Sequence, residues 1–343
     1  MQRERTFPAH YDPNSVAAIW RVPYQERASA AEAWRRERGI AAAADDNFRL
    51  CLLAVDVQNT FCMPGFELFV AGRSGSGAVD DSRRLCEFVY RNLERITAIV
   101  ATLDTHRPLQ IFHPPYLVDD VGRHPSPYTL VSAEDAESGV WRVDPDVCRS
   151  LGLDEDYARR QLVDYTRRLE RGGKHRLTVW PFHALLGGLG HALVPAVEDA
   201  FFFHSLVRSS EVDFRLKGAR PLTEHYSAIG PEVVAGPDGE RLGARDEELV
   251  KKLLSFDAVV VAGQAKSHCV AWTVEDLLAD AQARQAGLPE RLYLLEDCTS
   301  AVVVPDAVDY TDEADAAFRR FAEAGVNVVR STDPFDIWPG IPR

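Results

Sequence analysis

The chain has 343 residues, 46% hydrophobic and 27% charged, the balance of a folded globular protein, which excludes a disordered or fibrous one. A formal net charge of −13, with no long basic run to offset it, argues against nucleic acid or an anionic membrane surface as a partner. Six scattered cysteines without a CxxC pair read as reduced thiols, and no stretch approaches the ~20 apolar residues of a membrane span.

The opening MQRERTFPAHYDPN has no apolar signal core, so a cytoplasmic location is expected. Residues 1–48 read as an N-terminal extension, in which Ser29 and Glu32 form a capping box for a short helix that Gly39 stops. From there, short apolar runs alternate with longer helical patterns. LCLLAVDV (50–57), ITAIVATLD (96–104), FDAVVVAG (256–263), RLYLLED (291–297) and VNVVRS (326–331) predict strands, with helical patterns over 80–95, 246–254, 270–285 and 312–324. The strand runs are continuously apolar rather than alternating, as parallel strands covered on both faces require. The expected fold is therefore α/β, a doubly wound, Rossmann-like, mainly parallel sheet with helices on both faces. It would occupy 49–335 and leave 336–343 as a tail.

Residues 115–178 break this rhythm and read as an insertion. Its first half is a Pro- and Asp-rich loop. Its second predicts a helix over 154–171, with Asp154, Glu155 and Asp156 at the start and Arg167, Arg168 and Arg171 at the end, an order that complements the helix dipole. Its ends flank the candidate site, so a lid is expected, with Tyr116, Arg123, His124 and Tyr128 within reach of a ligand.

In an open α/β sheet, ligands bind at the carboxyl ends of the strands. Asp56 follows the first apolar run, where an aspartate serves equally well as a turn or helix cap. Asp104 and His106 close the second run at positions i and i+2, so both face one side and could share a cation. His183 lies in an aromatic cluster, Trp180-Pro181-Phe182-His183, where a single histidine is more often structural than a ligand. Cys269 sits at a strand-to-helix junction, where unpaired N–H groups and the helix dipole favour a thiolate and could form an oxyanion hole. Lys217 ends a further short apolar run, and most lysines in such places are merely solvated.

Taken in order, VDVQNTFC with PGFELFVAGR, LDTH, WPFH, RLKG with HYSA, GQAKSHCV and LEDC resemble the isochorismatase-like cysteine hydrolases, and among them the nicotinamidases. The resemblance spans about 50–331 and leaves out 1–48 and 115–178. It implies a triad of Asp56, Lys217 and Cys269. It implies an oxyanion hole at the N–H groups of Ala265 and Cys269 beside a cis peptide, and aromatic walls at Phe61 and Trp180. It also implies one divalent metal (zinc, iron or manganese) on Asp104, His106 and His183. The expected activity is hydrolysis of nicotinamide or a similar heteroaromatic carboxamide through a Cys269 thioester, with a small-molecule amide as partner and homo-oligomerisation left open. The alternatives are a cysteine hydrolase of another small amide, such as a carbamoyl or ureido compound, and a catalytically inactive binding protein. Three positions depart from the nicotinamidase pattern. Gln110 or His113 stands in for a further histidine, Lys266 replaces a small turn residue, and Ala184 replaces a cysteine. A cation at Lys266 near the site would suit an acidic substrate.

Overall fold

The computed structural model describes residues 7–173, 175–284 and 287–342. Six strands form one parallel sheet: β1 Leu50–Val55, β2 Ala98–Asp104, β3 Asp213–Lys217, β4 Ala258–Gly263, β5 Leu292–Leu295 and β6 Asn327–Val329. Their spatial order is β3-β2-β1-β4-β5-β6. Every residue of β1 and of β4 is buried, which accounts for their unbroken apolar runs. The chain winds outward from β1 to β3, then returns to β4 on the other side of β1. This reversal opens a crevice at the carboxyl ends of β1 and β4.

The helices are α1 Tyr24–Arg38, α2 Gly77–Arg91, α3 Glu155–Arg171, α4 Pro195–Arg208, α5 Glu247–Leu254, α6 Ala271–Arg284 and α7 Thr311–Glu323. They pack in two groups, α1 and α2 on α4, and α5 and α7 on α6, as a doubly wound sheet requires. Among the described residues no helix is long and apolar enough to cross a membrane, and all six cysteines are free and buried.

Two local expectations need correction. Helix α1 starts at Tyr24, not at Ser29, and Ser29 Oγ donates to the carbonyl of Gln25 one turn back (3.1 Å), so the capping box does not form. Gly39 does end the helix, at φ 63°. Helix α4 was not anticipated at all. The extension packs on it: Arg27 Nε lies 2.9 Å from both carboxylate oxygens of Asp199, and the buried Arg208 reaches Asp46. Residues 115–178 hold the predicted helix as α3, two short helices (Ala133–Ser138 and Pro145–Leu151) and short antiparallel pairs, 117–118 with 142–143 and 130–131 with 177–178.

Candidate active site

Four strand ends supply the centre. Asp56 follows β1 in a left-handed turn (φ 48°), and its backbone N–H is held by the Thr102 carbonyl (3.2 Å) and hydroxyl oxygen (3.0 Å). The Thr102 hydroxyl donates to Asp56 Oδ1 at 2.6 Å, which aims the other carboxylate oxygen at the crevice. Gly263 ends β4 beside Val55 at φ +115°, and a Cβ there would come 2.0 Å from the Val55 carbonyl oxygen, so only glycine allows this close approach. Asp104 ends β2 and is gripped by Gln58, whose Oε1 accepts the Asp104 N–H (2.8 Å) and whose Nε2 donates to its carbonyl (2.9 Å).

Lys217 ends β3 opposite Asp104 in the register. Its ammonium donates to Asp104 Oδ1 (3.0 Å) and to the His225 carbonyl (2.9 Å), and lies 3.6 Å from Cys269 Sγ. It also forms an ion pair with Asp56 Oδ2 at 3.0 Å, so the one ammonium faces both carboxylates and the sulfur. Cys269 stands in the wide helical turn Lys266–Val270 between β4 and α6, just after a cis Gln264–Ala265 peptide bond.

Burial sets the electrostatics. Desolvation pushes the Cys269 thiol well above its ordinary range. Lys217 pulls it down, while the carboxylates of Asp56 and Asp104 push it further up. Desolvation also raises Asp56 against the pull of Lys217, which makes that carboxylate a stronger base than an exposed one. Burial works against the Lys217 charge, but Asp104 and Asp56 outweigh it and hold the ammonium protonated. The resting arrangement is thus a thiol beside a basic carboxylate and a fixed cation.

Asp104, His106 and His183 each offer a buried ligand atom, all within 4.8 Å of one another. Both histidines are oriented from behind. His106 Nδ1 meets the Gly218 carbonyl (3.2 Å) and His183 Nδ1 the Pro181 carbonyl (2.8 Å), which leaves both Nε2 atoms toward Asp104 Oδ2, at 2.8 and 3.8 Å. A Cβ on Gly218 would lie 2.6 Å from Asp104 Oδ1 and 2.7 Å from His106 Cε1, so the ligand set is packed around a glycine. A mixed carboxylate–imidazole set of this kind fits a divalent zinc, iron or manganese ion.

Phe61 and Trp180 line the adjoining cavity with Tyr226, His268, Ala265 and Cys269, and the space they enclose is about 30 Å³. Glu224 also lines it and escaped the sequence reading, although it directly precedes the HYSA segment. Burial pushes its carboxyl up to about 8, so at neutral pH it is mostly protonated and can both donate and accept a hydrogen bond. Gln58 was likewise unrecognised as the support of Asp104.

Other candidates lie elsewhere. Gln110 Nε2 donates to the Gly218 carbonyl (2.6 Å), so it braces the ligand loop from outside. His113 turns Nδ1 to the Arg107 carbonyl (3.0 Å) and stands outside the ligand trio, its ring centroid 5.8 Å from that of His106. Lys266 points away from the cavity to Asp315 (2.6 Å) and the Phe318 ring, which removes the motive for an acidic substrate. Among the described residues lining the cavity none falls within 115–178. Tyr116 is buried in the core, Arg123 pairs with Asp119, and His124 bonds the Leu117 carbonyl, whereas Tyr128 packs edge-on against the cavity-lining Trp180 (ring centroids 6.1 Å apart).

A scan against protein-family models finds no match, and a search of curated proteins likewise finds none. Solved structures do match. A nicotinamidase/pyrazinamidase of Acinetobacter baumanii aligns with a TM-score of 0.51 and 18% identity over 84% of this chain and 99% of its own. The yeast nicotinamidase, bound to the inhibitor nicotinaldehyde, aligns at 0.50 and 17% over 82% and 99%. With its six parallel strands and the crevice between β1 and β4, the chain shares the doubly wound α/β fold of these two solved structures.

Proposed function

We propose that this protein is a metal-assisted cysteine amidohydrolase that converts nicotinamide or a similar heteroaromatic carboxamide to the acid and ammonia. The observation that carries the reading is the convergence of Asp56, Lys217 and Cys269 at one strand-end crevice, with the ammonium 3.0 Å from the acid and 3.6 Å from the sulfur. In this scheme Asp56 Oδ2 takes the thiol proton, and the Lys217 charge stabilises the thiolate as it forms. The thiolate attacks the carboxamide carbon, and the N–H groups of Ala265 and Cys269 receive the oxyanion. Asp56 then returns its proton to the departing ammonia, and water hydrolyses the thioester. Asp104, His106 and His183 would hold a divalent ion that acts as a Lewis acid toward a ring nitrogen and water. Phe61 and Trp180 flank the space where a flat ring would lie.

The test is ammonia release from nicotinamide, pyrazinamide, benzamide and a carbamoyl amino acid, by wild type and by Cys269→Ala. Turnover of the heteroaromatic amides that vanishes in the variant, with the circular dichroism spectrum unchanged, is the expected result. Near-normal turnover in Cys269→Ala would remove the nucleophile and the proposal with it.

A further inference from the structure

The cavity beside Cys269 counts Glu224 and Tyr226 among its lining residues, so where their wall stands bears on which ligand fits. One wall, bearing Glu224 and Tyr226, belongs to residues 218–246, a stretch without any helix or strand. Its position is set by bonds within the stretch, such as the Glu232 N–H to the Glu224 carbonyl (2.9 Å) and the Thr223 hydroxyl to the Val233 carbonyl (3.0 Å), together with what anchors it from outside. The first part, 218–221, is tied to the β2 side: Gln110 donates to the Gly218 carbonyl, and the Ile111 N–H to the Pro221 carbonyl (2.9 Å). Residues 225–228 are tied by the Lys217 ammonium, which donates to the His225 carbonyl, by the Trp180 indole N–H, which donates to the Tyr226 hydroxyl (2.9 Å), and by the Thr273 hydroxyl, which accepts the Ala228 N–H (2.8 Å).

The middle, 222–224, is held by helix α3 of the 115–178 segment. Gln161 Nε2 donates to the Leu222 carbonyl at 2.8 Å, and the Tyr165 hydroxyl accepts the Glu224 N–H at 2.9 Å. The two residues are one turn apart on the same face, and both side chains are buried. Tyr157, a further turn back on that stripe, bonds Glu240 in the same loop.

We infer that Gln161 and Tyr165 are positioning residues that fix the Glu224–Tyr226 wall, and through it determine which amide the cavity admits. The 115–178 segment thus acts on substrate choice by holding this wall from behind. The inference rests on the amidohydrolase reading for its substrate class, and on the hydrogen bonds alone for the anchor. Tyr165→Phe keeps the ring and leaves the Glu224 N–H buried without its acceptor, so the wall must shift to satisfy it.

The experiment compares wild type with Tyr165→Phe, Gln161→Met and a control, Thr166→Val. Thr166 is equally buried on α3, but its hydroxyl bonds only carbonyls of its own helix, those of Leu162 and Val163. For Tyr165→Phe and Gln161→Met we expect KM for the preferred amide to rise about tenfold with kcat changed less than about threefold, and the amide ranking to alter. Amide hydrogen exchange of peptides covering 219–228 should speed up in both, and in the control neither the ranking nor this exchange should move. If Tyr165→Phe does not fold, Gln161→Met carries the comparison. An unchanged ranking in the anchor variants, or the same change in the control, overturns the role in selection. Unchanged exchange overturns the anchor while leaving the parent activity standing. A wild type that hydrolyses no amide in the panel overturns the amidohydrolase reading and the selection claim, whereas the exchange data still judge the anchor.

Discussion

Lys217 is the single cation between two buried carboxylates, so its removal offers a demanding test of the centre. Lys217→Met keeps much of the side-chain length and deletes the charge, which leaves Asp56 buried without its cation, whereas Asp104 keeps His106 at 2.8 Å. Breaking a buried ion pair from one side costs about 3–5 kcal/mol, because the stranded charge stays out of water. Unfolding entropy of about 2.1 cal/mol/K per residue gives a chain of 343 residues about 0.7 kcal/mol/K, so that cost lowers Tm by about 4–7 °C. Adding Asp56→Asn removes the stranded charge and should recover most of the loss, while hydrolysis under the proposed scheme stays abolished. Differential scanning calorimetry of wild type, both single variants and the double variant closes the cycle, and ammonia release from the preferred amide should fall at least about 100-fold in each. A Lys217→Met protein that melts with wild type, or a double variant less stable than Lys217→Met, would refute the account of Lys217 as the charge that makes the buried Asp56 tolerable.

Purified protein should carry about one divalent ion per chain by inductively coupled plasma mass spectrometry, and His106→Ala or His183→Ala should each lose it; full retention by both variants would remove Asp104, His106 and His183 as the ligand set. Stability should also fall with acid partly through His204, whose pKa burial lowers from 6.5 to about 4 although its Nε2 bonds the Ile96 carbonyl at 2.9 Å. Because the unfolded chain takes up that proton and the folded one does not, the contribution is intact above about pH 6.5 and is lost progressively down to about 4, worth about 3 kcal/mol in all. Urea melts at pH 7.0 and 4.5 should therefore show a smaller loss for His204→Gln than for wild type, and equal losses would contradict it.

Elements buried on both faces and motifs at strand ends are legible in the sequence. The runs at 50–57 and 256–263 announce β1 and β4 because burial leaves no room for polar residues on either side. Asp56, Asp104, Lys217 and Cys269 stand at strand ends, where the crevice forms, but Lys217 by itself reads as a solvated cation, and only the family resemblance joins the four; the structure brings them together. Helix α4 was invisible for the opposite reason. With α1 and α2 packed on it, ten of its fourteen residues are buried, so it has little of the polar–apolar contrast on which a periodicity reading depends. Ser29 and Glu32 satisfied a capping pattern, yet the preceding residues continue the helix and the pattern falls inside it. Glu224 carries no local signal, because its importance comes from burial beside the cavity, a tertiary property. Lys266 shows the same limit in reverse: a neighbour of Cys269 in sequence, it is drawn outward by Asp315 on α7.

The clasp of the N-terminal residues over α4 has a consequence for how the chain reaches its native state. Arg27 meets a partner 172 positions later, and Arg208 meets Asp46 across 162. Loops of that length close late, since their entropy must be lost before the contacts repay it. During synthesis the extension must therefore wait, unpartnered, until α4 has emerged and packed. Until it docks, the apolar side of α4 that includes Phe203 stays open to other chains, and aggregation competes with completion of the fold. Slow refolding whose yield falls with protein concentration, relieved by supplying residues 7–48 as a separate peptide, is the signature this arrangement should leave.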